Sequence, residues 1–254
     1  MRLRGFSRKS ELLQHDLLQL LTTVKQALGV MANGILEHDG AIADFQGDAA
    51  LGFWGWPMSL EEGPVPACRA ALSILRDFNN KSQDGGLLDG FSVGIGIAHG
   101  EAIAGEIGTE KQAKIGVFGP VVNQGARLEG LSKQLGVSIC MDDATAQFVR
   151  RFVPESEART RCLARVRPAG MDTPVTVHQL LFPDERESSV SDRLLRGYQD
   201  GLEAVIDGAW SEARCVLELF RETDGASAFL LRQMETLGNR APEDWDGAFS
   251  LSRK

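Results

Sequence analysis

The feature that most constrains this chain is residues 40–57, Gly-Ala-Ile-Ala-Asp-Phe-Gln-Gly-Asp-Ala-Ala-Leu-Gly-Phe-Trp-Gly-Trp-Pro. Gln46-Gly47-Asp48 interrupts two apolar stretches, Ile42 and Phe45 before it and Ala50, Leu51 and Phe53 after it. A Gly-Asp dipeptide so placed makes a tight turn between two strands. The region is thereby committed to antiparallel sheet, with the carboxylate of Asp48 at a hairpin tip. Turn chemistry alone accounts for Gly and Asp there, so a functional role for Asp48 has to be argued from elsewhere in the chain.

Around this hairpin the periodicity alternates between helix and strand. Leu13, Leu17, Leu20, Leu21, Val24, Leu28, Met31 and Ile35 recur at three- and four-residue spacing and predict a helix over 11–37, ended by Asp39-Gly40. A second helix is expected over 66–79, with Pro66 near its start. Strands are expected over 91–98 and from there through Ile107, then a short loop at 117 and a helix to 135. A strand over 136–141, a helix capped by Asp142 or Asp143 and reaching 152, and strands over 162–166 and 175–182 follow. Such alternation predicts an α/β sandwich with a mixed sheet. Trp54 and Trp56 read as packing residues, and His99 as a structural or surface histidine. After the polar linker 183–189, three helices are expected over 193–206, 210–220 and 226–237. This tail is similar to a single tetratricopeptide-like unit, which cannot form a solenoid alone and so is expected to pack on the preceding domain or a partner.

The second informative stretch is 117–129, Val-Phe-Gly-Pro-Val-Val-Asn-Gln-Gly-Ala-Arg-Leu-Glu. On a helix, Asn123 and Arg127 fall at i and i+4 and share one face. A guanidinium's planar donors suit phosphate oxygens that carry charge. Together with the hairpin, this stretch resembles the catalytic domain of class III nucleotidyl cyclases, the adenylate and guanylate cyclases. The resemblance covers roughly residues 2–182 and implies a ferredoxin-like sandwich, so that 1–183 is expected as a cyclase domain and 184–254 as a linker and helical tail.

The resemblance also implies roles. Asp48 would bind Mg²⁺ or Mn²⁺, and Asn123 with Arg127 would hold the reacting phosphate. Gly5, Phe6 and Ser7 would lie in the loop that faces the nucleotide phosphates, and Gly47, Asp44 and Pro120 would contact the nucleotide. The reaction would convert a purine nucleoside triphosphate, ATP or GTP, to a 3′,5′-cyclic nucleotide and pyrophosphate. The two halves of the family's site come from two subunits, which implies a homodimer. The pattern is departed from at four positions. The first metal carboxylate maps to Arg2, which means either that it is absent or that the chain begins inside a longer gene product. The base-reading Lys maps to Asp44, the second base-reading residue to Pro120, and a triphosphate-gripping base to Ala169, near Arg165 and Arg167. Two readings follow: a cyclase, or a degenerate cyclase-like module that dimerises with and regulates an active one.

Composition narrows the setting. At 254 residues, 43% hydrophobic and 24% charged, the chain has the make-up of a soluble globular protein, and its net charge of -8 argues against nucleic acid or anionic membrane as a partner. Cys68, Cys140, Cys162 and Cys215 lack metal-ligand spacing and read as reduced thiols. No apolar run is long enough to span a bilayer and no signal peptide is recognisable, so a cytoplasmic location is expected.

Overall fold

The computed structural model of the chain describes residues 1–12, 16–83, 85–86, 88–109, 112–169 and 172–251. Its chain divides into two compact units, Met1–Gly130 and Leu131–Lys254.

In the first unit the hairpin forms as the sequence demands. Strand β2 (Ala41–Gln46) pairs antiparallel with β3 (Ala49–Phe53), and Gly47 takes the positive φ of 62° that the turn requires. The chain opens with a strand of three residues, β1 (Arg2–Arg4), which pairs with β3 on one side and with β4 (Ser92–Ile97) on the other. The local sheet order is β4-β1-β3-β2. After β1 come α1 (Phe6–Leu12) and α2 (Leu17–Leu36), and after β3 comes α3 (Val65–Lys81). Asp16 caps α2 by accepting from the Gln19 amide at 2.9 Å, so this helix starts at Leu17 rather than continuing unbroken from residue 11. Leu13 lies outside the described residues. Leu17, Leu18 and Leu21 are exposed, and the buried face is made by Ala27, Val30, Met31 and Ile35. These pack on α3, where Ile74 and Phe78 are buried, and α3 in turn packs on β4, where Val93 and Ile95 are buried, each worth about 1.5–3 kcal/mol for a large side chain taken out of water.

Strand β5 (Ile103–Thr109) pairs antiparallel with β6 (Gln112–Phe118) as a separate two-stranded ribbon. β6 was not expected from the sequence: Lys114 and Gly116 break its alternation, and its register comes from its pairing with β5. Helix α4 (Pro120–Gln134) then crosses the division between the units.

The second unit holds β7 (Ile139–Asp142), α5 (Asp143–Phe152), β8 (Arg159–Arg167) and β9 (Val175–Leu181), then α6 (Glu185–Ser188), α7 (Asp192–Ile206), α8 (Trp210–Leu217), α9 (Gly225–Thr236) and β10 (Phe249–Ser250). The short α6, capped by Asp184, occupies what reads as a linker. The local order is β10-β8-β9-β7, with β10 parallel to β8 and the other pairs antiparallel, a mixed sheet. The tail is built onto β8. Tyr198 of α7 donates to the Leu163 carbonyl at 2.5 Å. Arg161 lies over the Tyr198 ring at 4.6 Å, donates through Nε to Gln179, and pairs at 2.6 Å with Asp224, both side chains 5% exposed. Asp224 at the same time caps α9 through the Ser227 amide. Trp245 packs with Trp210 and Phe249 and donates to the Val205 carbonyl, which fixes the last residues of the tail.

Helix α5 is held to the sheet by His178 of β9. Its Nε2 meets Asp143 at 2.9 Å and its Nδ1 meets Arg150 at 3.0 Å. Arg150 donates, so Nδ1 accepts and Nε2 carries the proton: the ring is neutral. Burial, and next the Arg150 cation, push the His178 pKa down against the pull of Asp143 and Asp142. Cys162, across from it on β8, is pushed up to about 11 by burial and stays a thiol.

Two outcomes test this packing. Asp224→Ala leaves the Arg161 guanidinium buried without its counter-ion and should lower unfolding free energy by about 3–5 kcal/mol, read as a fall in the urea midpoint. Arg161→Met combined with Asp224→Asn, which keeps the cap, should restore more than half of it. For His178 the unfolded chain takes up the proton first, so stability is full above the unfolded value near pH 6.5 and declines as pH drops below it toward the depressed folded value. Urea midpoints between pH 7.5 and 5 should fall more steeply for the natural chain than for His178→Gln.

Candidate functional site

Residues 2 and 4 of β1 point to the same side of the strand, opposite the buried Leu3. Two guanidiniums thus stand on one face. Arg2 lies beside the hairpin tip, with its Nε 3.5 Å from Asp48 Oδ1, the two side chains 53% and 20% exposed. Backbone pairing enforces the proximity: Leu3 N donates to the Asp48 carbonyl at 3.0 Å, and Arg2 is in register with Ala49. Arg4 lies with Glu129 of α4 above Gly94, where a Cβ would meet Arg4 Nε at 2.8 Å and Glu129 Oε1 at 3.0 Å.

Asn123 and Arg127 are exposed, one helical turn apart on α4. The helix comes very close to β4 because residue 96 is glycine. A Cβ there would lie 2.2 Å from the Gly125 carbonyl oxygen and 2.3 Å from the Glu129 amide nitrogen, so only a hydrogen fits. This contact brings Asn123 to a cavity of about 610 Å³ that is also lined by Arg2, Gln46, Trp54, Ile97 and Glu129. That volume is within the usual range for small-molecule sites. Asn123 and Arg2 therefore reach one cavity, while Asp48, Arg127, Gly47 and Asp44 are outside its lining.

The remaining expected residues fall as follows. Gly5, with φ 87°, makes the turn from β1 into α1, and Phe6 is the first residue of that helix. The Ser7 side chain lies outside the described residues. Pro120 opens α4 and is exposed. Asp44 pairs at 2.9 Å with Lys114 of β6, whose hydrogen bond lowers the Asp44 pKa. Lys114 was missed because no local pattern links it to residue 44; the pairing depends on the β5–β6 ribbon folding beside β2. Trp54 donates to the His38 carbonyl at 2.8 Å, a packing role. Arg167 forms an ion pair with Asp246, which lowers the Asp246 pKa, and Arg165 donates to the Asp246 carbonyl at 3.3 Å. Both cations near Ala169 are thus bound by the tail.

A two-ion Mg²⁺ or Mn²⁺ site requires several oxygen ligands converging on each ion. Here the tip offers Asp48 alone, with a guanidinium where a second carboxylate would be needed. Among the described residues no group of three or more His, Cys, Asp or Glu side chains converges. The residues present do not fit a two-ion centre.

The arrangement of α4 against the hairpin-bearing sheet defines a class of protein that is known from solved structures. The chain is similar to the adenylyl cyclase CyaB of P. aeruginosa, with a TM-score of 0.60 at 20% identity over 73% of this chain and 92% of that one. It is similar also to the guanylyl cyclase Cya2, with a TM-score of 0.57 at 28% identity over 72% of this chain and 90% of that one. The adenylate and guanylate cyclase catalytic domain family matches residues 14–178, and the chain belongs to that family. Among sequences, it is 25% identical over 166 residues to adenylate cyclase 1 of Rhizobium meliloti (strain 1021), covering 64% of this chain and 24% of that protein. The chain spans about a quarter or less of the length of curated relatives that it matches, 24% of one and 18% of another. No helix among the described residues is long and apolar enough to cross a membrane.

The contact at Gly96 can be tested directly. Gly96→Ala forces α4 off β4, since backbone cannot yield as a side-chain tip can. A loss of about 1–3 kcal/mol, in the range of overpacking elsewhere, is expected in urea unfolding, together with altered chemical shifts at Asn123. Gly130→Ala, where no atom lies within 4 Å, should be neutral or mildly stabilising.

Proposed function

We propose that this domain serves cyclic-nucleotide signalling in the cytoplasm as an adenylate- or guanylate-type cyclase that works as a homodimer. Its substrate would be ATP or GTP. The 3′-hydroxyl oxygen attacks the α-phosphorus, the bond from that phosphorus to the bridging oxygen breaks, pyrophosphate leaves, and the hydroxyl proton is lost to water. The observation that carries this reading is the pair Asn123 and Arg127, exposed one turn apart on α4 with Asn123 at the cavity. An amide and a guanidinium so spaced can hold the charge that builds on the transferring phosphate. Gly5, Phe6 and Ser7 at the β1–α1 turn, and Gly47 at the hairpin, would approach the phosphates through backbone amides. Asp44 and Pro120 would face the base, Asp44 together with Lys114. In this reading residues 1–183 carry the cyclase domain and 184–254 an appended tetratricopeptide-like tail.

One observation favours a second reading. Arg2 stands against Asp48, the single carboxylate available to a metal ion at the tip. A module with this substitution would regulate an active cyclase by dimerising with it and would not turn over nucleotide itself.

Cyclic-nucleotide formation from ATP and from GTP, each with Mg²⁺ and with Mn²⁺, separates the two. The enzyme reading expects product that falls about a hundredfold or more in Asn123→Ala and in Arg127→Ala. Absence of product in all four conditions would reject it and leave the regulatory reading.

A further inference from the structure

The misfit at the hairpin tip has a positive counterpart, resting on the reading of this domain as a nucleoside triphosphate binder. We infer that Arg2 is itself the cation of the site, and that the domain binds a nucleoside triphosphate as the free polyanion, without a divalent ion. Three observations converge. Arg2 lines the cavity of about 610 Å³ together with Gln46 and Ala49 of the hairpin, so its guanidinium stands at the wall of a space large enough for a ligand. Its side chain is 53% exposed, and only its backbone is fixed between β3 and β4 by sheet pairing, so the guanidinium can turn from Asp48 toward a ligand. Its contact with Asp48, at 3.5 Å, is longer than a good hydrogen bond, so a phosphate oxygen competes for the donors without breaking a strong pair.

Asp48 then has a different task from ligating metal. Sitting 20% exposed beside Arg2, it keeps the guanidinium at the tip until an anion arrives. A divalent cation at the same place would meet one carboxylate and one positive charge, and among the described residues no group of three or more His, Cys, Asp or Glu side chains offers it another seat. The planar fork of an arginine suits phosphate better than a compact ammonium does, which sets an expected order for replacements at this position.

The test uses ATP and GTP analogues with a methylene bridge between the α- and β-phosphates, which bind without turning over, titrated calorimetrically in EDTA and in Mn²⁺. The natural chain should bind in EDTA within about threefold of its affinity in Mn²⁺. Arg2→Ala should weaken binding in EDTA by about tenfold or more, the scale of one lost hydrogen bond to a charged group, with Arg2→Lys between the two. Arg2→Asp should make binding depend on Mn²⁺ and, in the absence of nucleotide, create a Mn²⁺ site visible by electron paramagnetic resonance that the natural chain lacks. Binding by the natural chain only in Mn²⁺, Mn²⁺ uptake that is lost in Asp48→Ala, or full affinity in Arg2→Ala would each overturn the inference while leaving a nucleotide site in place. Absence of binding by either analogue in both buffers would overturn the nucleotide reading together with it.

Discussion

The half of this molecule that carries the candidate site depends on an absent methyl group. Because residue 96 has no Cβ, the backbone of α4 rests directly on β4, and this approach decides where Asn123 stands. A helix normally packs on a sheet through interleaved side chains, and then a polar residue on its outer face projects into solvent. Here the helix lies deeper, so that an exposed face of α4 borders a cavity whose wall is the neighbouring strand. Catalytic and binding groups carried by regular elements are placed more exactly than groups on loops. In this site both the hairpin and the helix are of that kind.

The charges around the tip have been exchanged in pairs. Where the family resemblance leads one to expect an acid, Arg2 is found with Asp48 at 3.5 Å, and where it leads one to expect a base, Asp44 is found with Lys114 at 2.9 Å. A reversed charge left alone near a protein surface repels its neighbours or draws counter-ions; one with a partner costs little. Both reversals here have partners, and the partner of Asp44 comes from a strand 70 residues further on. The candidate site is therefore locally neutral, and among the described residues no group of three or more His, Cys, Asp or Glu side chains gathers there for a divalent ion.

Much of this was legible in the sequence, because it was local. The turn at Gly47-Asp48, the i, i+4 spacing of Asn123 and Arg127, the Asp142 cap and the helices of the tail are all written in short windows. What was not legible depended on elements meeting. Strand β6 shows no alternation, since the exposed Lys114 and the side-chain-free Gly116 interrupt it, and it becomes a strand only through β5. The leucines at 17, 18 and 21 continue the apolar pattern of α2 and yet are exposed, because the pattern records what a helix offers and not what covers it. The Arg2–Asp48 contact, the Lys114–Asp44 pair and the Asp143–His178–Arg150 chain join residues that no single window contains.

The small strand β10 closes the second unit in a way that affects how the protein can be cut. Without its two residues, the end of β8, at Val166 and Arg167, would be an open edge with its backbone donors and acceptors unpaired on one side. Such edges recruit other chains, and proteins guard them by covering or charging them. Here the guard is supplied from the far end of the chain, pinned by Trp210, Trp245 and Phe249. A boundary drawn by family resemblance at the end of β9 would remove it, and would uncover the Leu163 carbonyl and the Arg161 guanidinium as well. The segment that looks like an appendage in the sequence is the hem of the sheet.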